Sequence, residues 1–267
     1  MTSPSVLDRF ISYSDSLRDS LAARENVIGL ILLGSTADHS RVDEWSDHDF
    51  FVITTPGTAE AMRQDLTWLP DFGQIALAPR ETDHGLKVVY KDARVLEFAV
   101  FEDAELEIAG VNSYAVTLDK TNITSRVAEI AKRPAQKPYS FDREWQLFLS
   151  LILIGVGRAR RGELLIARQF VGSYVLNHVL GFVRLWQSPL AGTESKEDSF
   201  NRFRRFEQQF PELGLELDQI QQLPVEKSAE QLLNLALRLG KGHLTEQQVE
   251  QAELVRARFG FLAEEEG

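Results

Sequence analysis

Close to residue 135 the sequence changes its hydrophobic period. Before that point, short apolar runs of strand length dominate: Val27 to Leu33 (VIGLILL), Phe50 to Thr54, Lys87 to Tyr90, Val95 to Phe101 and Tyr114 to Leu118, rich in β-branched and aromatic residues. Beyond it, apolar residues recur at spacings of three and four across 141–160, 163–187, 196–209, 228–240 and 245 to about 258. Lys132-Arg133-Pro134-Ala135-Gln136-Lys137-Pro138 lies at the change, and two prolines in a polar stretch block helix continuation. The sequence therefore predicts an α+β chain: a mixed sheet with flanking helices over 1–135, followed by an all-helical bundle over 136–267.

Helical patterns frame the strands. Leu7, Phe10, Ile11, Ser14, Leu17 and Leu21 mark one face of an N-terminal helix, and Ala59 to Leu69 reads as another. Asp92-Ala93 is a plausible two-residue turn, which makes the flanking strands an antiparallel hairpin. Phe210-Pro211 is expected to stop the third helix of the second half.

Composition removes several classes. Of 267 residues, 43% are hydrophobic, enough to bury a full core. The formal net charge is -11, with 13 basic against 22 acidic residues up to residue 135 and 16 against 18 after it. That balance disfavours nucleic acid and anionic lipid and suits cationic ligands and metal ions. With no cysteine there is no disulfide, no thiolate metal site and no cysteine nucleophile. The N-terminus lacks a basic region leading into an apolar one, and the most apolar run, Leu147 to Val156, is too short to span a bilayer, so a cytoplasmic, membrane-free protein is expected.

The chemistry gathers in one segment. An apolar strand ends abruptly in Gly34-Ser35, and Ser46-Asp47-His48-Asp49 opens the next strand. Strand side chains alternate, so Asp47 and Asp49 share a face about 7 Å apart along the chain, while His48 points the other way as a core residue. Two carboxylates so close repel unless a hard cation such as Mg²⁺ joins them. Glu97 interrupts the apolar run Val95 to Phe101, where an unpaired buried carboxylate would be costly, and it is expected to join the pair. Gly34 would let backbone approach a phosphate, and Ser35 adds a hydroxyl and an amide, as a triphosphate cradle requires. The acidic run Glu102, Asp103, Glu105 and Glu107 reads as an exposed surface, or else as an attractive wall for a polycation.

Gly-Ser, about ten residues, Asp-x-Asp and a later strand-borne acid resemble the nucleotidyltransferase superfamily, and within it lincosamide nucleotidyltransferases and aminoglycoside adenylyltransferases. The resemblance covers 27 to roughly 165. The glycine usual in the loop after Gly-Ser is absent, since 38–44 read Asp-His-Ser-Arg-Val-Asp-Glu. It implies transfer of a nucleoside monophosphate, AMP from ATP or that of another NTP, to a hydroxyl of a small cationic molecule such as an aminoglycoside or lincosamide antibiotic. Asp47, Asp49 and Glu97 would be metal ligands and catalytic groups with Mg²⁺, Glu97 serving as ligand, general base or both. Gly34 and Ser35 would bind the nucleotide. Lys120 in Leu118-Asp119-Lys120, and Arg161 in Arg161-Gly162-Glu163-Leu164, echo family segments and would contact phosphates. The helical half would supply a substrate wall and a homodimer contact. The alternatives are transfer to a protein or RNA acceptor, and a non-catalytic nucleotide-binding or interaction module.

Overall fold

The computed structural model describes residues 4–111, 113–132, 140–193, 198 and 201–262. The proline-bracketed segment 133–138 lies outside these residues. The chain forms two compact units, 1–134 and 135–267.

In the first unit, α1 (Val6–Ala22) opens with a capping box, the Ser5 hydroxyl accepting from the Asp8 amide and the Asp8 carboxylate accepting from the Ser5 amide. β1 (Val27–Leu33) runs into the single-turn α2 (Gly34–Ala37), and β2 (His48–Thr54) is followed by α3 (Ala59–Gln64). Then come β3 (Ile75–Leu77), β4 (Gly85–Tyr90), β5 (Val95–Glu102), β6 (Tyr114–Asp119) and α4 (Ile123–Ala131). Among the described residues the strands form one sheet in the order β3-β4-β5-β2-β1-β6. It is mixed, because β2 and β5 pair in parallel while the other neighbours are antiparallel.

Both faces of this sheet are covered over most of its length, which is why its central strands read as continuous apolar runs. Tyr13, Leu17 and Leu21 of α1 pack with Leu30, Phe50, Val52, Leu96, Phe98 and Val100 on one face. Ile123 and Val127 of α4 pack with Ile28, Ile31, Ile53 and Phe101 on the other. Each such side chain, fully buried, contributes about 1.5–3 kcal/mol. The second cover stops short of the leading ends of β2 and β5, leaving Asp49 half-buried and Glu97 exposed.

The second unit is helical: α5 (Phe141–Arg160), α6 (Leu164–Gln169), a π-helical turn over 170–175 leading into α7 (Leu176–Trp186), α8 (Phe206–Gln209), α9 (Pro211–Gln221), α10 (Val225–Leu239) and α11 (Glu246–Phe259). Trp145, Phe148, Ile152 and Val156 of α5 share a core with Phe182 and Val183 of α7 and Leu232 and Ala236 of α10. A Cβ at Gly155 would stand 3.0 Å from the Phe170 Cβ, so this glycine lets α5 approach the π-helical turn closely. No described helix is long and apolar enough to cross a membrane.

Four local expectations are corrected. The helix expected over 59–69 ends at Gln64, because Asp65 turns extended and its carboxylate accepts from the Thr67 amide at 3.0 Å. Phe210 does cap the end of α8, as expected of Phe210-Pro211, but Pro211 also opens α9, a helix not expected there, since the first helical position needs no N–H. Of the helix expected over 196–209, the described residues are helical only across Phe206–Gln209. The β4–β5 loop has three residues rather than two: the Tyr90 amide donates to the Arg94 carbonyl, and Ala93 takes φ +66°.

Candidate active site

Asp47, Asp49 and Glu97 converge. Asp49 and Glu97 lie opposite one another in the parallel β2–β5 register, and Asp47 precedes the strand by one residue on the same face. A carboxylate oxygen from each lies within 4.8 Å of the others. Two ligands on one ion at about 2.1 Å stand at most about 4.2 Å apart, so a small side-chain adjustment would let all three grip a single hard cation. The all-oxygen, all-anionic donor set suits Mg²⁺ or Mn²⁺.

Glu97 does not have the apolar surroundings its sequence context suggests. Its side chain is 48% exposed, and the Lys87 ammonium stands 3.5 Å from its Oε2 and 2.8 Å from Glu81 Oε1. Strand alternation turns Leu96 and Phe98 inward and Glu97 outward, beyond the reach of the α4 cover. The Glu81 hydrogen bond, followed by the Glu97 charge, holds the Lys87 amine above its usual range.

The Gly-Ser turn is built against the pair. Gly34 has φ +55°, and a Cβ there would lie 3.2 Å from Asp49 Oδ2. Its amide donates to the Ser113 carbonyl at 3.0 Å. Its carbonyl accepts from Arg41 Nη2 at 2.7 Å, and the same nitrogen reaches Ser113 Oγ at 3.0 Å. Arg41 Nε also faces Asp38 Oδ2 at 3.0 Å, so the loop that lacks the usual glycine is tied back by its own arginine. Ser35 is half-buried beside this turn. The Asp49 amide donates to Thr36 Oγ1 at 2.9 Å. Thr36 and Arg41 escaped the sequence reading; a hydroxyl two residues past the Gly34 turn was the available signal for the first.

His48 faces away from the carboxylates, as strand parity requires. It is 2% exposed, stacks on Phe10 with ring centroids 3.8 Å apart, and sets Nδ1 3.4 Å from Ser14 Oγ. Burial, aided by the Arg94 charge, pushes its pKa down to about 3. The ring borders a groove of about 950 Å³ whose lining includes Tyr13, Arg94, Asp43, Glu44, Trp45 and Asp47; Trp45 is 84% exposed.

The structure does not bring Lys120 to the cluster. Its amide pairs with the Ile28 carbonyl, at the end of β1 opposite Gly34 and about 20 Å along the strand from it. Its ammonium donates to the Ala22 and Arg24 carbonyls at 2.9 and 2.8 Å. Asp119 beside it closes the start of α4, and hydrogen bonds from the Thr124 hydroxyl and from the Thr124, Ile123 and Thr121 amides lower its pKa to about 2. Arg161 belongs to the other unit, where its Nε faces Glu163 Oε1 at 3.4 Å. The acidic run that begins at the last residue of β5 is engaged in structural contacts: Glu105 with Arg63 and His84, Asp103 with Arg126, and Glu102 with the Gly57 amide.

No known family profile and no curated protein matches the chain. Among solved structures it is similar to an aminoglycoside 6-adenyltransferase from Bacillus subtilis, at 14% identity and TM-score 0.36, covering 96% of this chain and 99% of that one. It is similar to a nucleotidyltransferase-like protein from Exiguobacterium sibiricum 255-15, at 11% identity and TM-score 0.34, covering 93% and 88%. It is also similar to the Bradyrhizobium diazoefficiens CD-NTase CdnG, solved in complex with GTP, at 11% identity and TM-score 0.30, covering 94% and 92%. Likenesses this distant assign no activity to the chain, whose chemistry rests on its own side chains.

Proposed function

We propose that this protein transfers a nucleoside monophosphate from an NTP, with ATP the first candidate donor, to a hydroxyl of a small cationic molecule of the aminoglycoside or lincosamide kind. The observation that carries the reading is the convergence of Asp47, Asp49 and Glu97 within 4.8 Å beside a glycine turn held at positive φ. Asp47 and Asp49 would hold Mg²⁺, with Glu97 as third ligand or general base. A magnesium ion bound there would offset the charge of the triphosphate and of the leaving pyrophosphate.

Gly34 lets the triphosphate approach the backbone, and Ser35 offers it a hydroxyl. As general base, Glu97, open to solvent, would accept the acceptor hydroxyl's proton as that oxygen bonds to the α-phosphorus and the bond to pyrophosphate breaks. Lys120 serves the α1 terminus and has no phosphate role in this proposal. Asp43 and Glu44, with the exposed Trp45 ring in the loop that leads to Asp47, support a cationic acceptor.

The test is pyrophosphate release from each of the four NTPs with Mg²⁺, against a panel of aminoglycosides, lincosamides and simple polyols, with Asp47→Ala as the blank. Release with one acceptor class supports the reading. Activity equal in the parent and in Asp47→Ala contradicts it.

A further inference from the structure

We propose that Thr36 is a positioning residue for the two aspartates: its hydroxyl, at the end of the β1–β2 ladder, accepts from the Asp49 amide and reaches toward the Asp47 carbonyl. The inference rests on the metal–nucleotide reading of the cluster. The β1–β2 ladder runs from Val27 opposite Thr54 to Leu32 opposite Phe50 and stops there. The next residue of β2 is Asp49, which this register sets opposite Leu33, the last residue of β1, after which the chain turns at Gly34 into α2. On its other edge β2 remains paired, His48 with Leu96 and Asp49 with Glu97. The Asp49 amide points to this end of the β1–β2 ladder, where an enclosed N–H needs an acceptor.

Thr36 supplies the acceptor. Its side chain folds back from α2, accepts from the Asp49 amide at 2.9 Å, and donates toward the Asp47 carbonyl oxygen at 3.5 Å. Thr36 is 1% exposed, so this hydroxyl has little water to turn to. One oxygen therefore bridges both ends of the Asp47-His48-Asp49 span and ties it to the same glycine turn proposed to receive the triphosphate. Groups that orient metal ligands commonly change metal affinity by about 10–100-fold when removed.

The test compares Thr36→Val, which keeps shape and loses the hydroxyl, with Thr36→Ser, which keeps the hydroxyl. Mn²⁺ affinity is read without nucleotide by calorimetric titration, and hydrogen exchange of the Asp49 amide is read by NMR. Thr36→Val should weaken Mn²⁺ about tenfold or more, and Thr36→Ser should restore it. The Asp49 amide should exchange slowly in the parent and in Thr36→Ser, and fast in Thr36→Val. A folded Thr36→Val protein that binds Mn²⁺ as tightly as the parent overturns the proposal. If Thr36→Val does not fold, the parent decides, because a rapidly exchanging Asp49 amide there overturns it. A parent that binds no Mn²⁺ defeats the metal reading, and the exchange rates then judge the Thr36 bridge by itself.

Discussion

Gly34 and Asp49 are packed so that a single added carbon would collide with the chemistry: a Cβ on Gly34 would stand 3.2 Å from Asp49 Oδ2, at a backbone φ of +55°. Gly34→Ala therefore meets two penalties. The left-handed conformation costs about 1–2 kcal/mol for a residue with a Cβ, and the methyl presses on a carboxylate of the cluster. Thermal unfolding should show a melting temperature several degrees lower. Calorimetric titration should show weaker Mn²⁺ binding even at temperatures where the variant is folded.

Lys87 holds Glu97 by its charge. With its ammonium 3.5 Å from Glu97 Oε2, it competes with any cation for that carboxylate. Lys87→Met should tighten Mn²⁺ binding by up to about fivefold, the range of an exposed ion pair. The gain should shrink as salt is raised. Unchanged or weaker binding at low salt would show that Glu97 is not drawn on by the metal.

The buried imidazole of His48 makes stability depend on pH. In the unfolded chain it titrates near 6.5, while in the folded protein burial and Arg94 lower its pKa to about 3. Between these values the unfolded state binds more protons, so stability falls as pH drops from about 6.5 toward 3. Chemical denaturation of the parent and of His48→Phe between pH 7 and 5, above the carboxylate range, should show a shallower loss in the variant. Parallel curves would place the acid sensitivity elsewhere.

The aspartates were legible because strand parity alone puts Asp47 and Asp49 on one face, and the apolar run around Glu97 announced a strand. Their neighbours were not. A two-residue loop at Asp92-Ala93 would set Val88 opposite Glu97, whereas the three-residue loop sets Lys87 there. A shift of one residue reverses every side chain's face, so the Lys87–Glu97 pair was hidden by the loop length. Glu97 looked buried because the sequence does not say where the α4 cover ends. Lys120 looked like a phosphate ligand because the β1–β6 register, which carries it to the far end of β1, is not written in local pattern.

Lys120→Met separates the two roles. Its ammonium lies on carbonyls at and beyond the C-terminal end of α1, where a positive charge is favoured. The variant should melt at most a few degrees lower and bind nucleotide as the parent does. A selective loss of nucleotide affinity at unchanged stability would restore the phosphate role.

Asp47, Asp49 and Glu97 are proposed to bind nucleotide through a divalent cation. The direct measurement is calorimetric titration of the parent and of Asp49→Asn with a non-hydrolysable ATP analogue, with Mg²⁺ and then with chelator. Binding should require Mg²⁺ in the parent and weaken by about tenfold or more in Asp49→Asn. Binding of equal strength with chelator, or unaffected by Asp49→Asn, would contradict it.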